Sequence, residues 1–316
     1  MDKNVFPTFL ISCRDTDLEQ SIDFTRSKEE LLSNRIDELN EILEAIHYWR
    51  GRIFSLISRL ADAYSAKASL SLLDNYDVLA FKQYCYIAGK LNILSQYDSQ
   101  WAYNGTNIHH FFSILMSDSP ELLKYLIIHR DEIIDVDVSY NRKDLRPFFN
   151  ANTLLAISGD FDLLRERALT FLNDEKKLKR DKIRIPDHQF YVGLSDKNIE
   201  KMRSALSILL DSKYAKRAVY DTEIHFEYYL QLQVLMYSKI AMIHGFDLGI
   251  DTPISPKELI EIKPLGKYED PYEFMKEFDY DQPHQEWVRM WNERMANTEQ
   301  NKQKNSSLWR KWFGLA

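Results

Sequence analysis

Two cysteines in 316 residues, Cys13 and Cys85, cannot build a disulfide framework, and they form no C-x-x-C pair. Each reads as a buried structural thiol. Glycine and proline are scarce, nine of each, so long stretches run without a helix breaker. No run reaches 18 apolar residues. The opening MDKNVFPTFLISC is short and holds Pro7, and an acid follows the initiator, so it is neither a signal peptide nor a membrane span. Positive charge is also short. A net charge of −7 argues against a general nucleic-acid binder and suits a protein with a basic partner. These absences predict a cytoplasmic chain that meets neither membrane nor nucleic acid.

Catalytic signatures are missing as well. There is no glycine-rich phosphate loop, no H-E-x-x-H and no G-x-S-x-G. Of the eight histidines only His109 and His110 adjoin, and neighbours on a helix point to different faces, so they make no joint metal site. Asp131, Asp135 and Asp137 are close enough in sequence for acid–base work, but a solvated loop explains them equally. The expectation is a non-enzymatic protein with no catalytic residue, no metal and no cofactor.

With 45% apolar and 28% charged residues the chain is an ordinary globular one, and what it has is helix. Ser27 and Glu30 have capping-box spacing. Leu32, Ile36, Leu39, Leu43 and Ile46 follow at spacings of 4, 3, 4 and 3, and the stripe resumes at Ile53, Ile57, Leu60 and Tyr64. That predicts one long helix kinked near Gly51, or two consecutive helices. A further helix is expected from Asp77 to Gln96. Ser119-Pro120-Glu121 orders an N-cap, an N1 proline and an early acid, and Ser195 reads as another start. The stretch from Glu223 to His244 is apolar on most sides, which predicts a central, covered helix.

A repeat is visible. FFSILMSDSPELLKYL and FFNANTLLAISGDFDLLRERAL share a Phe pair, an apolar helix, a short Ser/Asp turn and a Leu-Leu start, with Leu122 and Leu163 41 residues apart. Solenoid repeats and an irregular bundle of antiparallel hairpins both give this pattern. Strand signal is confined to the alternation at Ile134, Val136 and Val138. KIRIPDHQFYVG reads as a loop after the basic run 176–184, and the polar tail 297–307 reads as loose. The fold expected is all-α: an irregular, solenoid-like stack of antiparallel helix hairpins in one domain over 1–316. Its sub-regions are long N-terminal helices (1–100), hairpin repeats (101–245) and a Pro-rich C-terminal wrap with terminal helices (246–316).

That wrap is the chain's most unusual stretch. Residues 242–268, MIHGFDLGIDTPISPKELIEIKPLGKY, hold three of the nine glycines and three of the nine prolines. Gly245 suits a left-handed C-cap. Phe246, Leu248 and Ile250 alternate with polar or small residues, as in an extended piece lying on a core. Ser255-Pro256-Lys257-Glu258 repeats the N-cap and N1-proline order, and Pro264 ends that short helix. The pattern of apolar helix, small turn, apolar-and-acid stretch, Pro-x-x-Leu and further proline resembles the immunity protein 49 family of bacterial polymorphic-toxin systems. The matching positions are Gly245, Pro256, Leu259, Ile260 and Pro264. The resemblance implies a cytoplasmic antidote that binds and neutralises one cognate toxin. A helical scaffold or adaptor unrelated to toxins is the alternative.

The family carries no shared contact residues to this chain, so the docking site is sought in the residues themselves. Just after the wrap, YEDPYEFMKEFDYD sets Glu269, Asp270, Glu273, Glu277, Asp279 and Asp281 against the single Lys276, a local balance of −5. Tyr268, Tyr272, Phe274, Phe278 and Tyr280 lie between them, and Trp287 and Trp291 follow. Toxins that attack nucleic acids or nucleotides carry basic clefts, which an acidic surface with aromatic anchors would match. The toxin-binding residues expected are Glu269, Asp270, Tyr272, Glu273, Glu277, Asp279, Tyr280 and Asp281. The competing reading is an ordinary solvated face, with Phe274 and Phe278 turned to the core.

Overall fold

The computed structural model describes residues 18–97, 109–134, 145–176, 181–211, 214 and 223–312. Of these, 73% are helical, and the only bridge among them is an isolated one between Thr252 and Ser255. Cys13, Asp135, Asp137 and the Val136–Val138 alternation lie outside the described residues.

Four long helices open the fold: α1 (Leu18–Ser33), α2 (Ile36–His47), α3 (Ile53–Asn75) and α4 (Val78–Leu94). The apolar stripe breaks twice, at Asn34–Arg35 and again around Gly51, so consecutive helices rather than one kinked rod carry it. Ser27 caps nothing. It sits inside α1, and its hydroxyl donates to the Phe24 carbonyl, the back-bond available to a mid-helix serine. Asp77 caps α4 by accepting from the Ala80 amide at 3.0 Å. α4 packs closely on α5 (His109–Ser117): a Cβ at Gly89 would lie 3.0 Å from the Ile114 side chain and 3.2 Å from its backbone nitrogen.

Three hairpins follow. α5 turns through Asp118 into α6 (Pro120–Ile128), beyond which lies the single turn α7 (Arg130–Ile133). α8 (Leu145–Ser158) turns through Gly159 into α9 (Phe161–Leu172). α10 (Ile185–Ser195) turns through Lys197 into α11 (Ile199–Leu210). Asp118, Gly159 and Lys197 all have positive φ, 58°, 78° and 53°. Asp118 and Gly159 are the 41-residue repeat made structural, and the Lys197 hairpin is a third copy whose turn residue gives no hint in sequence. Ser119 caps α6 as its spacing predicts. Ser195 instead ends α10, and Asn198 caps α11 by accepting from the Lys201 amide. The stretch expected as a loop, 182–193, is a 3-10 turn over Lys182–Arg184 that runs into α10. Pro186 is tolerated in its first turn, and Phe190, Tyr191 and Leu194 are buried.

α12 (Leu232–Ile243) is the centre of the fold. Every residue from Leu232 to Ala241 is buried, and the helix packs against α5, α8, α11 and the single-turn α13 (Lys257–Ile260). It starts nine residues later than its apolar pattern suggests, because 224–229 form turns. Gly245 ends it at φ 84°, with the Phe246 amide donating to the Ala241 carbonyl. A Cβ there would meet nothing within 4 Å, so the dihedral alone, not crowding, asks for glycine.

Apart from α13 and the Thr252–Ser255 bridge, the wrap crosses the helix ends without regular structure, so its backbone groups need partners from elsewhere. Leu248 is buried between exposed Asp247 and Gly249, as the alternation predicts. Arg203 donates to the Leu248 carbonyl, Lys239 to that of Glu261 and Lys82 to that of Lys263. The Tyr268 hydroxyl receives the Leu265 amide and donates to the Ser117 carbonyl. Ser255 does not cap α13. Its hydroxyl reaches back to the Gln231 carbonyl, and the Asp251 carboxylate accepts from the Lys257 amide instead. Beyond the wrap lie the single turn α14 (Glu273–Lys276) and the 29-residue α15 (His284–Trp312), which is helical through the stretch expected to be loose. Both oxygens of Glu132 cap α15, at the His284 and Gln285 amides. Buried residues from Leu31 to Trp291 form one cluster.

A candidate binding cleft

The acids of 269–281 do not stand as one array. Asp270 turns inward: it accepts from the Lys90 ammonium at 2.7 Å and from the Tyr86 hydroxyl at 3.0 Å, with 13% of its side chain exposed. Burial pulls the Lys90 pKa down, against the opposing pull of Asp270. Tyr280 joins the same cluster through its hydroxyl to Tyr86 and its ring to the Lys90 cation. Cations meet all but one of the rest. Lys124 of α6 pairs with Asp281, Arg294 of α15 with Glu277, Lys276 with Glu273 and Lys267 with Glu269. Asp279 is exposed and caps the Asp281 amide. The balance of −5 read along the chain is therefore largely cancelled in space, and such exposed pairs are each worth at most about 1 kcal/mol.

Three of the expected residues, Tyr272, Glu273 and Glu277, do share a site. With Pro271, Phe274, Trp291 and Arg294 they form one side of a cleft of about 640 Å³, and Leu43, Ile46, His47 and Trp49 form the other. The site is aromatic. Tyr272 stacks on Phe274 at 5.6 Å and 7°, Phe274 stands edge-on to Trp291, and Trp291 meets Trp49 at 4.5 Å. The Tyr272 hydroxyl is tied to that of Tyr64. The Trp291 ring is fully buried, and its Nε1 has no hydrogen-bond acceptor among the described residues.

Trp49 is held in an unusual way. It follows the last turn of α2 with φ 56°. The Arg50 amide donates to the Ala45 carbonyl in the six-to-one bond that glycine usually permits. A bulky residue in this region costs about 1–3 kcal/mol unless its surroundings hold it there. Its contact with Trp291 does so, and the Arg294 guanidinium lies 5.1 Å from the ring. Sequence reasoning found the far side of the cleft and missed Trp49. The signal available was a tryptophan two residues before a predicted glycine break.

Other polar clusters are closed. Lys82 and Lys239, both buried, share the carboxylate of Asp118 at 2.6 Å each. Burial drives the Lys239 pKa down to about 8, with Asp118 pulling the other way. Cys85 lies nearby, buried, its thiol pushed well up by burial. Asp62, His225 and Thr25 line up at 2.9 and 3.3 Å in an arrangement like a nucleophilic triad. The Thr25 hydroxyl is fully buried, however, and donates to the Ser21 carbonyl, so no substrate reaches it. Asp131 pairs with Arg130 on the surface. Among the described residues no three His, Cys, Asp or Glu are grouped to hold a metal ion, and no helix is long and apolar enough to cross a membrane.

Comparison with protein-family models, curated proteins and solved structures returned no match.

Proposed function

We propose that this chain is a cytoplasmic, non-enzymatic immunity protein that binds a basic protein toxin, one acting on nucleic acid or nucleotides, and blocks it through the cleft between α2, α14 and α15. The observation that carries this reading is the cleft's composition. Four aromatic rings, Trp49, Tyr272, Phe274 and Trp291, lie beside two carboxylates, Glu273 and Glu277. Buried aromatic anchors with a charged rim are the usual make-up of an interface hot spot, and Glu273 and Glu277, each paired with a neighbouring cation, offer carboxylates to a basic partner that takes the place of those cations. The sequence resemblance to the immunity protein 49 family supports the same reading, through Gly245 in its left-handed cap and the buried Leu259 and Ile260. Asp270 and Tyr280 drop out of the docking set, since both are engaged with Lys90 and Tyr86. Glu269 and Asp281, neutralised by Lys267 and Lys124, lie outside the cleft with Asp279 and play no part in the contact.

The test is co-purification from the host, with and without the gene upstream of this one, followed by binding of the recovered toxin. The double reversal Glu273→Lys and Glu277→Lys is expected to weaken binding at least tenfold, about 1.4 kcal/mol. Helix content should stay unchanged, and the loss should be largest at low salt. A double variant that folds and still protects cells at wild-type toxin doses would refute the cleft as the contact. Recovery of a partner that is not a toxin would favour the scaffold reading.

A further inference from the structure

The cleft already holds the chemistry it would recognise. Arg294 stands three residues after Trp291, on the same face of α15. Its guanidinium lies 5.1 Å from the Trp49 ring centroid and bonds Glu277 through Nη1 at 2.6 Å. It is the chain's own cation against an aromatic face and a carboxylate, the two groups that bind guanidinium best. Its hold is slight. The Arg294 side chain is 38% exposed and that of Glu277 43%, and exposed pairs of this kind shift an equilibrium about fivefold at most. Trp49, by contrast, is fixed in a strained backbone by rings on the opposite side of the cleft. The aromatic face is fixed and the occupant is loose.

Resting on the reading above, we propose that the cleft is a guanidinium seat, that Arg294 is its resident occupant, and that an arginine of the basic partner takes the seat by displacing Arg294 into solvent. The incoming arginine gains the Trp49 face and the Glu277 carboxylate, with Glu273 on the same rim. Arg294 keeps the seat from standing as an uncompensated acid against exposed aromatic surface while no partner is bound. It therefore lowers affinity by competing, instead of raising it by contact.

The probe is a dye-labelled glycine peptide carrying two arginines, with its citrulline counterpart, which has the same shape without the charge. Fluorescence anisotropy is measured on the full chain at low salt. Arg294→Ala empties the seat. Arg289→Ala makes the same change of charge on the same helix but outside the cleft, where Arg289 pairs with Glu286 and Glu293. Arg294→Ala is expected to bind the arginine peptide about threefold to tenfold more tightly than wild type. Arg289→Ala should stay within twofold of wild type, Glu277→Gln should lose most of the binding, and the citrulline peptide should gain nothing. If Arg294→Ala is no tighter than Arg289→Ala, or is weaker than wild type, Arg294 is not a placeholder and the proposal fails. Equal binding of the two peptides would overturn the guanidinium seat itself. The outcomes separate from those for the toxin. If rim reversal abolishes protection while Arg294→Ala leaves peptide binding unchanged, the immunity reading stands and the seat falls. The opposite pattern keeps the seat and removes the toxin from the cleft.

Discussion

Replacing Asp118 by asparagine leaves two buried ammonium groups without their shared carboxylate. Lys82 and Lys239 each lie 2.6 Å from it, with 3% and 1% of their side chains exposed, and the Lys263 amide donates to it as well. Removing one partner of a buried ion pair costs about 3–5 kcal/mol, because the charge left behind is still desolvated. For 316 residues at about 2.1 cal/mol/K each, that lowers Tm by roughly 5–8 °C. Lys239→Met should behave differently. It removes one of the two cations and leaves Asp118 and Lys82 as a neutral pair, so its cost should be under about 1.5 kcal/mol despite the lost bond to the Glu261 carbonyl. The pH dependence gives the second readout. Burial lowers the Lys239 pKa from 10.5 to about 8. Between these values the unfolded chain holds a proton that the native one has released, so stability rises with pH across pH 8 to 10.5. The full gain is roughly 3 kcal/mol. Denaturant melts of wild type and Lys239→Met, repeated across that window, isolate this gain as a difference that vanishes in the variant. If Lys239→Met costs as much as Asp118→Asn, or leaves the alkaline rise intact, the surplus buried cation is not what sets the energetics here.

Other perturbations follow from the same packing. Asp270→Asn should cost about 3 kcal/mol by stranding Lys90, whereas Glu269→Lys and Asp279→Lys on the surface should stay within about 0.5 kcal/mol in urea melts. Gly245→Ala should cost about 1 kcal/mol in the same melts, since φ 84° strains any side chain although the space is open. Burial raises the Asp187 pKa to about 6 against the pull of Arg184. The native state therefore holds a proton there that the unfolded chain has lost, and stability should fall by roughly 3 kcal/mol as pH rises from 3.8 to 6. Asp187→Asn should flatten that fall, which thermal melts at three pH values would check.

Residues that interact with near neighbours in the chain were legible in sequence. The cap at Ser119 depends on an amide three residues on, and the helix start read at Asp77 rests on the same kind of local bond. Gly245 depends on its own dihedral and on the end of an apolar helix. The all-round apolar pattern of α12 forecast a covered helix, because no orientation of such a helix keeps its apolar surface from water. The 41-residue echo forecast two hairpins for the same reason. Local competition set the limits: Ser27, Ser195 and Ser255 all match a capping pattern, yet each bonds elsewhere or sits inside a helix, and pattern alone does not say which bond wins. The charge reading failed for a different reason. Counting acids over 269–281 assumes that neighbours in sequence are neighbours in field, but Lys90 and Lys124 come from helices 180 and 157 residues away, and Arg294 from the helix that follows, to cancel them pairwise. Lys239 gave a signal as the one charge in an apolar helix, but its partner Asp118 lies 121 residues away. The cleft is wholly a tertiary product. Trp49 and Trp291 are separated by most of the chain and meet because α15 lies across the end of α2, a contact that burial of the whole core decides.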